Sequence, residues 1–416
     1  MADGLMGSEI LRIGAEVRAI RAAGTQICNL TVGDFDPAEF RIPRYLEDHI
    51  EEALRRGETN YPPSDGTMQL RQAVLAFYER WLGLRYPVES VLITSGSRPG
   101  IYSTFRTLVD PGDRVVYGVP SWNNNHYCYL TGGVGVPIVC GSDAVFLPTR
   151  ELLENAVRGA RLLVLNSPSN PTGTVFDTET LAGICDLVLE ENARRGVGER
   201  PLYVLYDQVY WMLTFGGTVH VDPVSLRPEM AAYTIFVDGI SKAFAATGVR
   251  VGWVVGPADV IRPMSCLIGH IGAWAPRAEQ AATAQLLGAT EEVSAYRAEL
   301  TRGLRQRLDG LHDGLHALRR AGLPVDSFSP KGAIYLSARF ALNGTLTADG
   351  VVLRTNEDIR RYLLREAALA AVPFQAFGAM EETGWFRLSV GAVSLAEIDQ
   401  VLPRVQAAVE VVTSAD

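Results

Sequence analysis

The stretch YTIFVDGISKAFAATGVRVGWVV, residues 233–255, holds two short apolar runs, YTIFV and VGWVV, on either side of a polar turn carrying one lysine, Lys242. Neither run alternates apolar with polar residues, the pattern of strands covered on both faces. Outward from it, five more runs of this kind lie between Val91 and Gly256: VLIT, RVVYGV, VPIV, RLLVLN and LYVLY. They are rich in branched residues and bounded by Gly, Pro, Asn or Asp, and helical spacing separates several of them. After Thr178, for example, Leu181, Ile184, Cys185 and Val188 recur at i, i+3, i+4 and i+7, which makes one apolar stripe. The reading is an α/β fold: a large domain, residues 45–288, with a mostly parallel seven-stranded sheet sandwiched by helices.

The flanks predict a smaller α+β domain built from residues 1–44 and 289–416. Residues 289–320 are Arg-rich around a Leu stripe and read as a connecting helix with a break. GLPVDSFSPKGAIYLSARF and WFRLSVG read as strands, joined by an N-terminal helix containing Ile10, Ile13, Val17 and Ile20.

With 416 residues, 47% hydrophobic and 20% charged, the chain can bury a sizeable core, which excludes a disulfide-stapled miniprotein and a disordered chain. A net charge of -9 without a basic run argues against a nucleic-acid surface. Five cysteines without CxxC pairs or metal spacing predict a reducing environment and no metal site. The first residues lack a signal-peptide pattern, and the most apolar later run, PLYVLYDQVYWMLTF, is short and contains Asp207 and Gln208. A cytoplasmic protein away from membranes is expected. Of 38 basic residues only Lys242 and Lys331 are lysines. An ε-amine can lose its proton and attack a carbonyl, whereas a guanidinium cannot. Lys331, in SPKGAIYL, reads as a turn cation.

Ligands of open α/β sheets bind beyond the carboxyl ends of the strands. Four polar clusters sit there: SGSRPG after VLIT, SPSNPTG with Asn170 after RLLVLN, Asp207 and Tyr210 after LYVLY, and DGISK after YTIFV. Any one could be an ordinary turn. Gly96 and Ser97, followed by a helix entered at Pro99, form a phosphate seat of free N–H groups at a positive helix end, without the GxxxxGK[ST] of a P-loop. A phosphate seat, a lone lysine, a carboxylate and a stacking candidate, Trp122, are what pyridoxal 5'-phosphate requires. Asp207 suits the pyridine nitrogen, and Asn170 and Tyr210 suit the ring oxygen.

In these motifs, together with NYPPSDGTMQLRQAV, DPGDRVV, DGISKAFAATGVRVGW and FRLSV in order, the chain resembles the fold-type I class I/II aminotransferases of the aspartate aminotransferase-like branch over most of its length. The resemblance implies that Lys242 bonds covalently to the cofactor and shuttles the α-proton, with Asp207 on the pyridine nitrogen, Asn170 and Tyr210 on the ring oxygen, and Trp122 on the ring face. Gly96, Ser97, Ser241 and Arg250 would hold the phosphate, with Arg98 beside them and Tyr61 reaching it from the other subunit of a homodimer. Arg387 would clamp the substrate α-carboxylate near Gly33, with Asn170 adjoining. Arg98 would face a distal carboxylate, which points to a dicarboxylic amino acid, aspartate among them. WNNNHY and VPFQAFGAM depart from the family pattern. His270 and Arg277 read as structural. The expected reaction is ping-pong transamination between an L-amino acid and a 2-oxo acid. Lyase, decarboxylase or oxidase chemistry on the same cofactor, and a non-enzymatic ligand sensor, are the alternatives.

Overall fold

The computed structural model describes residues 7–414. Seven strands form the central sheet: β1 (Val91–Thr94), β2 (Arg114–Val119), β3 (Val134–Val139), β4 (Leu162–Asn166), β5 (Tyr203–Asp207), β6 (Thr234–Gly239) and β7 (Gly252–Val255). Their order is β1-β7-β6-β5-β4-β2-β3. Only β7 is antiparallel, and it pairs with both β1 and β6. The carboxyl ends of the other strands and the amino end of β7 therefore share one edge.

Burial explains the missing alternation. Val115, Leu162, Val164 and Leu205 enter a core with Ile101, Phe105 and Met264 on one face. Their neighbours Val116, Leu163, Leu165 and Val204 enter a core on the other face, with Leu181, Ile184, Cys185 and Val188. Each fully buried side chain of this size contributes roughly 1.5–3 kcal/mol. The edge strand β3 is half exposed, and Val134 and Val139 face solvent.

A second, antiparallel sheet contains β8 (Val325–Ser327), β9 (Tyr335–Phe340), β10 (Val372–Pro373) and β11 (Trp385–Ser389), in the order β10-β11-β9-β8. Its core takes Leu30 and Phe35 from the start of the chain and Leu304, Leu308, Leu311 and Leu315 from a long helix. The N-terminal helix, α1 (Glu9–Ala22), buries Ile13 against Phe374, Phe377 and Trp385.

The long helix, α2 (Thr290–Arg320), runs 31 residues without the expected break. Two of its glycines are sites of close approach: a Cβ on Gly303 would lie 3.0 Å from the Phe40 ring, and one on Gly314 2.4 Å from Leu402. Packing thus offsets the roughly 1 kcal/mol propensity cost of each glycine. No helix among the described residues is long and apolar enough to cross a membrane.

Candidate active site

The shared strand edge opens into a cavity of about 560 Å³. After β1 the chain turns at Gly96, whose φ of 79° is left-handed, and enters the helix Ser97–Leu108. Gly252, on β7, packs against this turn so closely that a Cβ there would lie 2.5 Å from the Gly96 carbonyl carbon and 2.7 Å from Ser97 N. A Cβ on Gly96 would in turn lie 2.1 Å from Arg250 Nη2. Arg250, itself at φ 63°, donates from Nη1 to Thr247 O at 2.7 Å and from Nη2 to Ser95 O at 2.8 Å. A non-glycine residue in that region stores strain, and the loop holds it there to bring the guanidinium against the turn. Ser241 is buried on the cavity wall, and Arg98 lies with its Cζ 4.5 Å over the Trp122 ring.

Asp207 closes β5, and its Oδ1 accepts from Val209 N at 3.2 Å. Desolvation raises its carboxyl from 3.8 to about 6, against the lowering effects of that N–H and of Lys242. Asn166, at the end of β4, ties the adjoining loops: its Nδ2 donates to Asp207 O at 2.8 Å, and its Oδ1 accepts from Asn170 N at 2.7 Å. Lys242 Nζ donates to Gly33 O at 2.6 Å. Desolvation lowers its amine from 10.5 to about 8; Asp34 opposes this, while Arg387, Arg98 and Arg250 add to it. An amine lowered this far presents more of its neutral form than an ordinary lysine does at the same pH.

Tyr210 hydrogen-bonds through its hydroxyl to that of Tyr335 at 2.6 Å, and burial keeps both protonated. Arg387 is 2% exposed. Its Nη2 donates to Thr31 O at 2.6 Å and its Nη1 to Asn170 Oδ1 at 3.1 Å, while its Nε is buried without a partner. The rings of Tyr335 and Phe377 lie 4.8 and 4.9 Å from its Cζ.

The cavity thus brings together Gly33, Ser97, Arg98, Trp122, Asn170, Asp207, Tyr210, Ser241, Lys242, Arg250 and Arg387. Gly96 adjoins it through Arg250. Tyr61 lies outside it, 83% exposed, with its ring against Trp274. Arg277 pairs with Glu58 away from the cavity, and Lys331 is exposed. Sequence reasoning missed Asn166, Tyr335, Thr31 and Asp34, whose Oδ1 accepts from Thr247. Asn166 carried a signal, being the polar residue that ends an apolar run.

The family model for aminotransferase class I and II matches residues 25–405. The aspartate aminotransferase of Rhizobium meliloti strain 1021 is 31% identical over 96% of this chain and 93% of its own. A probable aspartate/prephenate aminotransferase of Thermus aquaticus is 30% identical over 89% of this chain and 90% of its own. The crystal structure of the Rhizobium meliloti aspartate aminotransferase superposes with a TM-score of 0.90 at 29% identity, covering 99% of this chain and 98% of that one. With the sheet order and the convergent strand ends above, these similarities place the fold among the type I transferases, and the chain belongs to the aminotransferase class I and II family, as an enzyme that transaminates.

Proposed function

We propose that the enzyme uses pyridoxal 5'-phosphate to move an amino group between a dicarboxylic L-amino acid, aspartate among them, and a 2-oxo acid by a ping-pong route. The observation that carries this is the convergence of one amine, lowered to about 8, with a raised carboxylate, Asp207, at a single strand edge. The residues fit the cofactor: the Gly96 turn and Arg250 form a cradle that a Cβ would fill, and the buried Arg387 Nε lacks a partner. The relatives named for aspartate support the substrate class.

Gly96, Ser97, Ser241 and Arg250 would hold the phosphate through N–H groups, a hydroxyl and a guanidinium. Asp207 would hold a proton on the ring nitrogen, and Asn170 and Tyr210 would orient the ring oxygen beneath Trp122. When bound, the cofactor supplies an aldehyde that captures the amino nitrogen and a ring that withdraws electrons from Cα. Arg387 clamps the α-carboxylate and so fixes which Cα bond faces the lysine. Lys242 Nζ, neutral above about pH 8, is then the base that takes the Cα proton. Tyr61, solvent-facing in one chain, supports a homodimer in which it reaches the other subunit's phosphate. We assign residues 45–288 to a large cofactor-binding domain and residues 1–44 and 289–416 to a small domain with the connecting helix. Five free thiols, four of them buried, support a reducing cytoplasmic setting.

Borohydride reduction of the protein with pyridoxal phosphate, followed by peptide mapping, should label Lys242 and spare Lys331. Aspartate and 2-oxoglutarate should yield oxaloacetate and glutamate without ammonia, pyruvate or oxygen uptake. Label on Lys331 alone would overturn the assignment.

A further inference from the structure

One wall of the cavity comes from outside the sheet edge. Ile10, Gly14 and Arg18, at i, i+4 and i+8 of α1, line it together with Leu11, which is 68% exposed. Gly14 leaves a notch on that face: a Cβ there would lie 3.4 Å from Arg18 Nη1, so the guanidinium folds back over the turn before it. The helix's acids are engaged elsewhere. Glu9 pairs with Arg12, and Glu16 with Arg360 at 2.9 Å. Arg18 has no hydrogen bond or ion pair among the described residues.

Five cationic side chains line the cavity against two acids, Asp34 and Asp207. In the reading above, Lys242, Arg250 and Arg387 are taken by the cofactor and the α-carboxylate, which leaves two guanidiniums, Arg98 and Arg18, with no anion. We propose that Arg18 is a specificity-determining residue: it contacts the distal carboxylate of a dicarboxylic substrate from the N-terminal helix while Arg98 contacts it from the phosphate turn. Both residues are exposed in this chain, so water serves their guanidiniums when the substrate side chain is neutral, and discrimination comes from the contacts that a distal carboxylate gains with two elements distant in sequence.

This inference rests on the dicarboxylic substrate class proposed above, and the test separates the two. In the holoenzyme, Arg18→Gln should lower kcat/KM for aspartate or glutamate about five- to tenfold, the range of one charge-assisted contact in a partly solvated cleft, and leave alanine within about twofold. Succinate binding, read from the shift of the cofactor absorption band, should weaken by the same factor, while butyrate binding is unchanged. Arg18→Lys should recover part of the loss. A uniform loss on charged and neutral substrates, or no loss with succinate, overturns the role of Arg18 alone. A wild-type enzyme that exchanges amino groups with neither aspartate nor glutamate overturns the underlying reading and this inference with it.

Discussion

Asp207→Asn should make the cofactor-free protein more stable at pH 8 while destroying its grip on the cofactor. Desolvation raises the carboxyl from 3.8 to about 6 in the fold. At roughly 1.4 kcal/mol per pH unit, that shift of about two units corresponds to ~3 kcal/mol. Water at the mouth of the cavity makes this an upper bound. Below pH 3.8 the group is protonated whether folded or unfolded, and it costs nothing. Between 3.8 and about 6 the folded state binds more protons than the unfolded one, so stability falls as pH rises, and the full cost is present above 6. Asparagine keeps the oxygen that accepts from Val209 N and carries no charge to desolvate. Urea titration of cofactor-free protein, at one protein concentration, should show the variant ahead by about 1–3 kcal/mol at pH 8 and by about half as much at pH 5. With pyridoxal phosphate present the order at pH 8 should reverse. A cofactor-free variant no more stable than wild type at pH 8 would refute the reasoning, because Asp207 would then bear no desolvation strain.

Three further substitutions probe separate parts of the cleft. Gly252→Ala places a Cβ 2.5 Å from backbone that cannot rotate away, and should cost ~1–3 kcal/mol by chemical denaturation and weaken cofactor binding in a spectroscopic titration. Arg387→Lys replaces a fork that spans Thr31 O and Asn170 Oδ1 with a single ammonium. KM for the amino acid should rise about 10–100-fold with cofactor absorption unchanged. Tyr335→Phe removes the 2.6 Å partner of the Tyr210 hydroxyl, at ~1 kcal/mol of stability, and should shift the pH profile of turnover more than it shifts KM.

The central sheet was legible because its strands are buried on both faces: VLIT is buried throughout, and LLVLN and YVLYD are buried up to their last residue. The same rule located Asp207, Asn170 and Lys242, since polar groups that end apolar runs stand out locally. Tyr335 gave no such signal. It sits among buried residues of β9, and only the packing of two sheets brings it to Tyr210. Thr31 enters the site through its backbone oxygen, which every residue type carries. The break expected in α2 does not form, and two of its glycines instead meet the facing Phe40 and Leu402, contacts that no local pattern shows.

Arg387 stands on β11 of the smaller sheet, yet its two nitrogens hold Thr31, near the start of the chain, and Asn170, beyond β4 of the larger sheet. The proposed carboxylate clasp is therefore also a rivet through the seam between the layers. Anyone re-engineering the enzyme for amines that lack a carboxylate would have to supply new donors for both oxygens before removing this guanidinium, since widening the substrate range and unfastening the two halves are one and the same edit.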